Sequence, residues 1–181
     1  MVIPTISIVG RSKVGKTTLI EKLIPEIKRR GYSVATIKHT AHNFDIDKRG
    51  KDSWRHAQAG ADTVFICSPG KIAMVKRTSK EIPLPKIIAS FTQDEVDIIL
   101  TEGYKSATWP KIEVVGKERE AALPGKDKSE NLVAIVGDKS DKTISKCIPC
   151  FAPDETVKIV DFLEWNFIRP KGRNVVDNFF Q

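Results

Sequence analysis

The residues best suited to chemistry form one glycine-rich segment: Gly10, Arg11, Ser12, Lys13, Val14, Gly15, Lys16 and Thr17. The segment matches the phosphate-binding loop (P-loop) pattern G-x-x-x-x-G-K-[ST] at every fixed position. Its glycines allow backbone N–H groups to approach phosphate oxygens, and a following helix would point its positive end at the same anion. We therefore predict that this P-loop, with Thr18, binds a nucleoside triphosphate.

Within this loop, each polar side chain has an expected role. Lys16 is the predicted catalytic residue, because its ammonium would reach the β and γ phosphate oxygens. Thr17 would supply a hydroxyl ligand to Mg²⁺, and Thr18 would donate to the α phosphate. Arg11 could reach a phosphate, even across a dimer, or lie in solvent.

A P-loop needs an acidic partner for its metal ion at the end of another strand. Glu102 follows the apolar run at 97–101 and precedes Gly103, so we predict that it faces Mg²⁺. Asp52 in the Gly50–Ser53 segment has two interpretations, a metal ligand or the N-cap of a helix. Asp45 and Asp47 are weaker metal candidates.

The elements that must position these residues follow from hydrophobic periodicity. Strands are predicted at 3–9, 33–39, 63–68, 71–77, 97–101, 111–115 and 132–136, the last of these being the last clear strand. Helices are predicted at 16–30, 52–59 and 154–165. Alternating strands and helices predict an α/β, three-layer P-loop NTPase fold, with a mostly parallel sheet, helices on both faces and a β-hairpin insertion at Pro69-Gly70. We expect one nucleotide-binding domain at 1–168 and a tail at 169–181, and Pro25 could kink the first helix.

Composition narrows the class of partner. The chain has 181 residues and a net charge of +7. Residues 1–90 carry 17 Lys and Arg against 7 Asp and Glu, whereas residues 91–181 carry 13 against 16. The positive half contains the P-loop, which suits an anionic ligand. Aromatic residues make up only 7%, and nucleic-acid motifs and long apolar runs are missing, so we expect no nucleic-acid partner, no membrane span and a cytoplasmic protein.

Several segments, taken together, resemble the molybdopterin-guanine dinucleotide biosynthesis protein B (MobB) family. They are the P-loop, IKHT at 37–40, FDID at 44–47, GKDS at 50–53, AGA at 59–61, LTEGYK at 100–105 and PKIEV at 110–114. The resemblance implies a GTP-binding, dimeric accessory protein with weak GTP hydrolysis. It would assist a partner, molybdopterin guanylyltransferase (protein A of the pathway), in joining GMP to molybdopterin. It also implies that Asp52 and Glu102 approach Mg²⁺ beside Thr17.

Base preference is less determined by the sequence. The segment Asp138-Lys139-Ser140-Asp141 lies where a guanine-reading N-K-x-D motif is expected, with aspartate replacing asparagine. The carboxylate of Asp141 could accept from guanine N1–H and N2–H. The alternative interpretation is a charged surface loop.

Two other functions remain open at this level. One is a small-molecule kinase or ligase-like P-loop enzyme, which would need an acceptor pocket. The other is a nickel-insertion GTPase that uses His39, His42 and the CxxC pair Cys147 and Cys150. The cysteine pair otherwise has a structural role or shares a metal ion across a dimer.

Overall fold

A six-stranded parallel sheet, in the order β2-β5-β1-β6-β7-β8, forms the centre of the fold in the computed structural model, which describes residues 3–116, 131–138 and 148–169. The strands are β1 (Thr5–Val9), β2 (Val34–Lys38), β3 (Thr63–Ser68), β4 (Lys71–Lys76), β5 (Ile98–Glu102), β6 (Lys111–Val114), β7 (Leu132–Val136) and β8 (Cys150–Phe151). The helices are α1 (Lys16–Arg29), α2 (Asp52–Gln58), α3 (Leu84–Ile88) and α4 (Thr156–Leu163), the last continued by a π-helical turn at Glu164–Ile168.

Helix α1 follows β1 through the P-loop. Its inward residues recur at helical spacing and are buried: Leu19, Ile20, Leu23 and Ile27. The helix runs without interruption through Pro25. It ends at Arg29 with Arg30 as its C-cap, and Gly31 follows with a φ of +86°, a left-handed conformation that glycine adopts without strain.

The main hydrophobic core lies between the sheet, α1 and α4. Strands β1, β5 and β6 contribute residues with 0% exposure, including Ile6, Ile8 and Ile112. Every residue of β1 is buried, as expected for a central strand of a parallel sheet. This burial holds the carboxyl ends of β1 and β5 rigidly at one edge of the sheet.

Contacts among the described residues separate two compact units. The first comprises the described residues of 1–39 and 91–181, and the second comprises 40–90. In the second unit β3 and β4 pair antiparallel, with Phe65 opposite Met74, and α2 packs against β3. The single domain predicted at 1–168 stays a prediction. Of the predicted tail at 169–181, only Arg169 lies within the described residues.

The predicted α/β fold with a mostly parallel sheet and a hairpin insertion is confirmed. Residues 132–136 form β7 as predicted, and the two-residue β8, which was not predicted, pairs with it. Helix α3 was not expected, and the predicted helix at 154–165 begins at Thr156 and continues as the π-helical turn to Ile168. None of the helices in the described ranges has the length and apolar character needed to cross a bilayer.

Candidate functional site

The P-loop backbone is held in conformations that only some residues adopt. Gly10 has φ of +146° and Gly15 has φ of +99°, and between them Lys13 also lies in the left-handed region at +63°. A Cβ on Gly10 would lie 2.5 Å from the backbone oxygen of Val114, so a side chain there would displace β6. Gly15 faces open space and immediately precedes α1, which leaves room in front of the N-terminal amides of the helix.

Val14 anchors the loop to the protein interior. Its side chain packs against the main core, and its methyl groups lie beside Gly10 and Gly116. Arg11, Ser12 and Lys13 are exposed, as are Thr17 and Thr18. The loop therefore has one apolar anchor and an otherwise accessible surface, as a phosphate-binding loop requires.

Lys16 is folded back over the loop. Its Nζ donates to the backbone oxygen of Arg11 at 2.6 Å. Burial lowers the pKa of the Lys16 ammonium, Glu102 opposes that shift, and the positive charges of Lys105 and Lys38 add to it. The charges of Lys38, Lys105 and Glu102 therefore all act on Lys16, and a net positive group of this kind attracts a multiply charged anion.

Two of the three predicted metal ligands, Thr17 and Glu102, are hydrogen-bonded to each other. The Thr17 hydroxyl donates to Oε2 of Glu102 at 2.9 Å, and Oε1 of Glu102 lies 3.5 Å from Nζ of Lys38. A hydroxyl and a carboxylate are the hard oxygen donors that Mg²⁺ prefers. The donor set at the start of α1 and the end of β5 therefore fits the metal that the P-loop implies.

The chain segment after Glu102 is tightly constrained. Gly103 and Tyr104 have φ values of +103° and +55°, and a Cβ on Gly103 would lie 3.2 Å from Cβ of His39. The ring centroids of His39 and Tyr104 are 4.7 Å apart, and the His39 amide donates to the backbone oxygen of Glu102 at 2.9 Å. Left-handed residues at a strand end are typical of a functional site, and here the contacts with His39 fix the backbone that carries Glu102.

The N-cap interpretation of Asp52 is wrong. Lys51 is the N-cap residue of α2, and Asp52 is the first helical residue, with no side-chain capping bond. The Asp52 side chain is 89% exposed and lies 3.7 Å from the guanidinium of Arg55. Its role as a metal ligand stays a prediction. Asp47 accepts hydrogen bonds from the Ser53 hydroxyl and the Lys48 amide.

Two further predictions lie partly outside the described residues. Lys139, Ser140 and Asp141 of the guanine motif are not described, and neither is Cys147 of the cysteine pair, whereas Cys150 is half-buried in β8. Within the described part of the chain, no three His, Cys, Asp or Glu side chains lie close enough together to hold a metal ion.

Sequence reasoning assigned no role to Lys38 or Lys105. Both stand at or just after strands that end beside the P-loop, Lys38 on β2 and Lys105 three residues after Glu102. A basic residue at the end of a predicted parallel strand was the available signal. This signal places Lys38 beside Glu102 only if β2 and β5 are known to be neighbours, and that follows from the order of strands in the sheet.

Comparison with known proteins identifies the family. Residues 5–138 match the model of the MobB family, which is described as "Molybdopterin guanine dinucleotide synthesis protein B". A molybdopterin-guanine dinucleotide biosynthesis adapter protein of Haemophilus influenzae is 41% identical over 67% of this chain and 68% of its own length. The adapter protein of Escherichia coli is 38% identical over 61% of this chain and 64% of its own length.

Solved structures agree with the sequence relatives. A crystal structure of molybdopterin-guanine biosynthesis protein B superposes with a TM-score of 0.69 at 32% identity, covering 88% of this chain and 95% of the other. The P-loop, the Thr17–Glu102 pair and the matches over most of the chain lead to one conclusion. The chain belongs to the molybdopterin guanine dinucleotide synthesis protein B (MobB) family, whose curated members are named adapter proteins of molybdopterin guanine dinucleotide biosynthesis.

Proposed function

We propose that this chain is a cytoplasmic, GTP-binding adapter of molybdenum cofactor biosynthesis. It holds GTP with Mg²⁺ on its P-loop and assists a molybdopterin guanylyltransferase, protein A of the pathway, in joining GMP to molybdopterin. The names of its relatives support the pathway, since they are called adapters of molybdopterin guanine dinucleotide biosynthesis. The P-loop geometry supports the nucleotide.

One observation carries the nucleotide part of the proposal, namely the meeting of the Thr17 hydroxyl and the Glu102 carboxylate at 2.9 Å beside Lys16. Thr17 and Glu102 would hold Mg²⁺, and Asp52 is the third proposed ligand. Mg²⁺ held there would neutralise part of the negative charge of the triphosphate. Lys16 would exchange the carbonyl of Arg11 for phosphate oxygens.

The engagement of both Glu102 oxygens supports slow chemistry. Lys16, Lys38 and Lys105 bring positive charge, and Glu102 is already shared between Thr17 and Lys38. A carboxylate bound to donors on both oxygens is a poor general base. We therefore expect weak GTP hydrolysis, slower than about 1 per second, in a protein whose product is a bound complex.

We propose that the segment that begins at Asp138 recognises the guanine base. A carboxylate at Asp141 would accept from the N1–H and N2–H of guanine, and adenine offers no such pair of donors. Molybdopterin is proposed as a further ligand of the assembled complex. Titration of the chain with molybdopterin, with and without bound GTP, separates direct binding from binding by the partner alone.

We also propose a homodimer formed through the hairpin β3–β4. One face of this hairpin carries the side chains of Phe65, Cys67, Ile72 and Met74, and all four are exposed. The opposite face includes Val64, which is buried. A two-stranded hairpin is marginally stable alone, and a second copy of the same apolar face would cover it symmetrically.

The nucleotide proposal is tested by titrating GTP, ATP and GDP into the wild-type chain and into Lys16→Met, each with and without Mg²⁺. Loss of a charged hydrogen bond predicts about 10- to 150-fold weaker GTP binding with an unchanged circular dichroism spectrum. Lys28→Met, an exposed lysine of the same helix, is the matched control. Equal GTP affinity in wild type and Lys16→Met would overturn the proposed site.

A further inference from the structure

Lys38 has no assigned contact with the nucleotide in the function proposed above, yet the sheet places it beside the phosphate site. It is the last residue of β2 and lies directly opposite Glu102 of β5, which in turn lies opposite Ile8 of β1. Residues in register across parallel strands project from the same face of a sheet. Since Ile8 packs in the core that contains α1, Lys38 and Glu102 project on the side where α1 and Lys16 begin.

The Lys38 ammonium is bound loosely and can leave. Its Nζ lies 3.5 Å from Oε1 of Glu102, and its side chain is 64% exposed whereas that of Glu102 is 16% exposed. An exposed lysine on a flexible stem loses little packing when it changes partner. The other oxygen of Glu102 accepts from Thr17, so the carboxylate is divided between a proposed metal ligand and a cation.

We propose that Lys38 distinguishes a nucleoside triphosphate from a diphosphate. In the ligand-free chain it pairs with Glu102, and in the nucleotide complex it binds the terminal phosphate. The inference rests on the proposed function, because it assigns a further residue to the same site.

The order of strands supports this assignment. The P-loop follows β1, Glu102 ends β5, and Lys38 ends β2, so the three lie in this sequence along one edge of the sheet. The metal in P-loop proteins bridges the β and γ phosphates. Lys38 lies on the far side of Glu102 from the P-loop, and we expect the terminal phosphate, rather than the nucleoside, on that side.

Electrostatics supports the change of partner. A divalent cation held by Thr17 and Glu102 would repel an ammonium group 3.5 Å from the same carboxylate. The terminal phosphate carries the negative charge that the displaced ammonium needs. Lys38 is also close enough to Lys16 to help lower the pKa of that residue.

Lys105 provides a matched comparison. It too helps to lower the pKa of Lys16, but it stands beyond the left-handed residues Gly103 and Tyr104. Removal of Lys105 takes away the same charge from the same neighbourhood. Removal of Lys38 also takes away the ion pair with Glu102, so the two variants separate general attraction from recognition of the terminal phosphate.

The test is calorimetric titration of GTPγS and GDP, at saturating Mg²⁺, into wild type, Lys38→Met, Lys38→Arg and Lys105→Met. We expect Lys38→Met to bind GTPγS about 10-fold or more weakly, while its GDP affinity changes less than about 2-fold. Lys38→Arg should recover most of the lost GTPγS affinity. Lys105→Met should weaken both nucleotides by a similar factor, so its ratio of affinities stays that of wild type.

Other outcomes overturn the inference in distinguishable ways. Equal weakening of GTPγS and GDP in Lys38→Met, or no weakening, would mean that Lys38 serves only to neutralise Glu102 and does not read the terminal phosphate. Wild-type protein that binds neither nucleotide would overturn the proposed function as well. Circular dichroism spectra that match wild type ensure that the variants are folded.

Discussion

Glu102 holds the central position among the residues of the site, because both of its oxygens have partners with different chemistry. One accepts from the Thr17 hydroxyl and the other faces the Lys38 ammonium. Its backbone is also fixed, since its carbonyl accepts from the amide of His39. A carboxylate that is mostly buried and oriented in this way is preorganised for a cation, so the proposed binding of Mg²⁺ would need little reorganisation.

Glu102→Gln tests the charge of this carboxylate separately from its shape. Glutamine keeps an acceptor for the Thr17 hydroxyl but loses the charge that attracts Mg²⁺. We expect the Mg²⁺ concentration for half-maximal GTP binding to rise about tenfold, the effect of about 1.4 kcal/mol. The measurement is GTP titration across a series of Mg²⁺ concentrations.

The control for Glu102→Gln is Asp94→Asn, which changes an exposed carboxylate before the opposite end of β5. It should leave the Mg²⁺ requirement at the wild-type value. If Glu102→Gln retains the wild-type Mg²⁺ requirement, Glu102 is not a ligand of the metal and its proposed role must be abandoned.

Some of these site residues could be identified from the sequence and others could not, for a physical reason. Lys16 and Thr17 are fixed by a local motif, whose geometry depends on eight consecutive residues. Glu102 is recognisable because an apolar strand leads to it. Lys38 is not, because its closeness to Glu102 depends on β2 pairing with β5 rather than with β1, from which only one helix separates it in the chain.

At the scale of elements, the same distinction holds between local pattern and tertiary contact. Helix α1 was predictable because its buried residues repeat at helical spacing over 14 residues. Strand β8 has only two residues, too few to show a period, and it exists because it pairs with β7. The π-helical turn after α4 likewise has no distinct apolar pattern of its own.

An ion-pair network around Arg30 joins the end of α1 to α4 and its π-helical turn. The Arg30 guanidinium donates to carboxylates of Glu26, Asp161 and Glu164 at 2.7 to 2.9 Å. Glu164 also accepts from the Tyr32 hydroxyl at 2.8 Å. The side chains of Arg30, Glu26 and Glu164 are only 11% to 12% exposed, so water screens this network less than a surface pair.

This network predicts a pH dependence of stability. Hydrogen bonds from Arg30, then from Tyr32 and Arg169, lower the pKa of Glu164 from 4.5 to about 2. Since the folded-state pKa is depressed, the contribution of Glu164 to the free energy of unfolding is fully present above pH 4.5. It is lost as pH falls through about 2.

The corresponding experiment compares the Tm of wild type and Glu164→Gln across acidic and neutral pH. Because glutamine does not titrate, the deficit in Tm of the variant should be largest above pH 4.5 and should shrink as pH falls toward 2. Glu21→Gln, an exposed position on α1, should show no such pattern. A Glu164→Gln deficit that stays constant with pH would show that Glu164 contributes by packing rather than by charge.

At the scale of the whole molecule, the described residues form two compact units. The unit that contains β1 and β5 carries the P-loop and Glu102, and residues 40–90 carry the hairpin. The exposed hairpin side chains include Phe65 at 59%, Ile72 at 67% and Met74 at 57%. A contiguous apolar patch of this kind on a protein surface marks an interaction site rather than a solvated face.

The proposed homodimer predicts that this patch controls the oligomeric state. Phe65→Ser combined with Met74→Ser changes two cross-strand partners that face outward, so the variant should remain folded and sediment as a monomer while wild type sediments as a dimer. Trp165→Ser removes a larger apolar side chain, 72% exposed on the π-helical turn, and should leave the dimer intact. A wild-type monomer at every concentration, or a dimer that survives both hairpin changes, would exclude the hairpin as the interface.

The same double variant tests whether the dimer is needed for nucleotide binding. If it is monomeric and still binds GTP with wild-type affinity, each protomer holds its nucleotide without help from the second copy, and Arg11 does not act across the dimer.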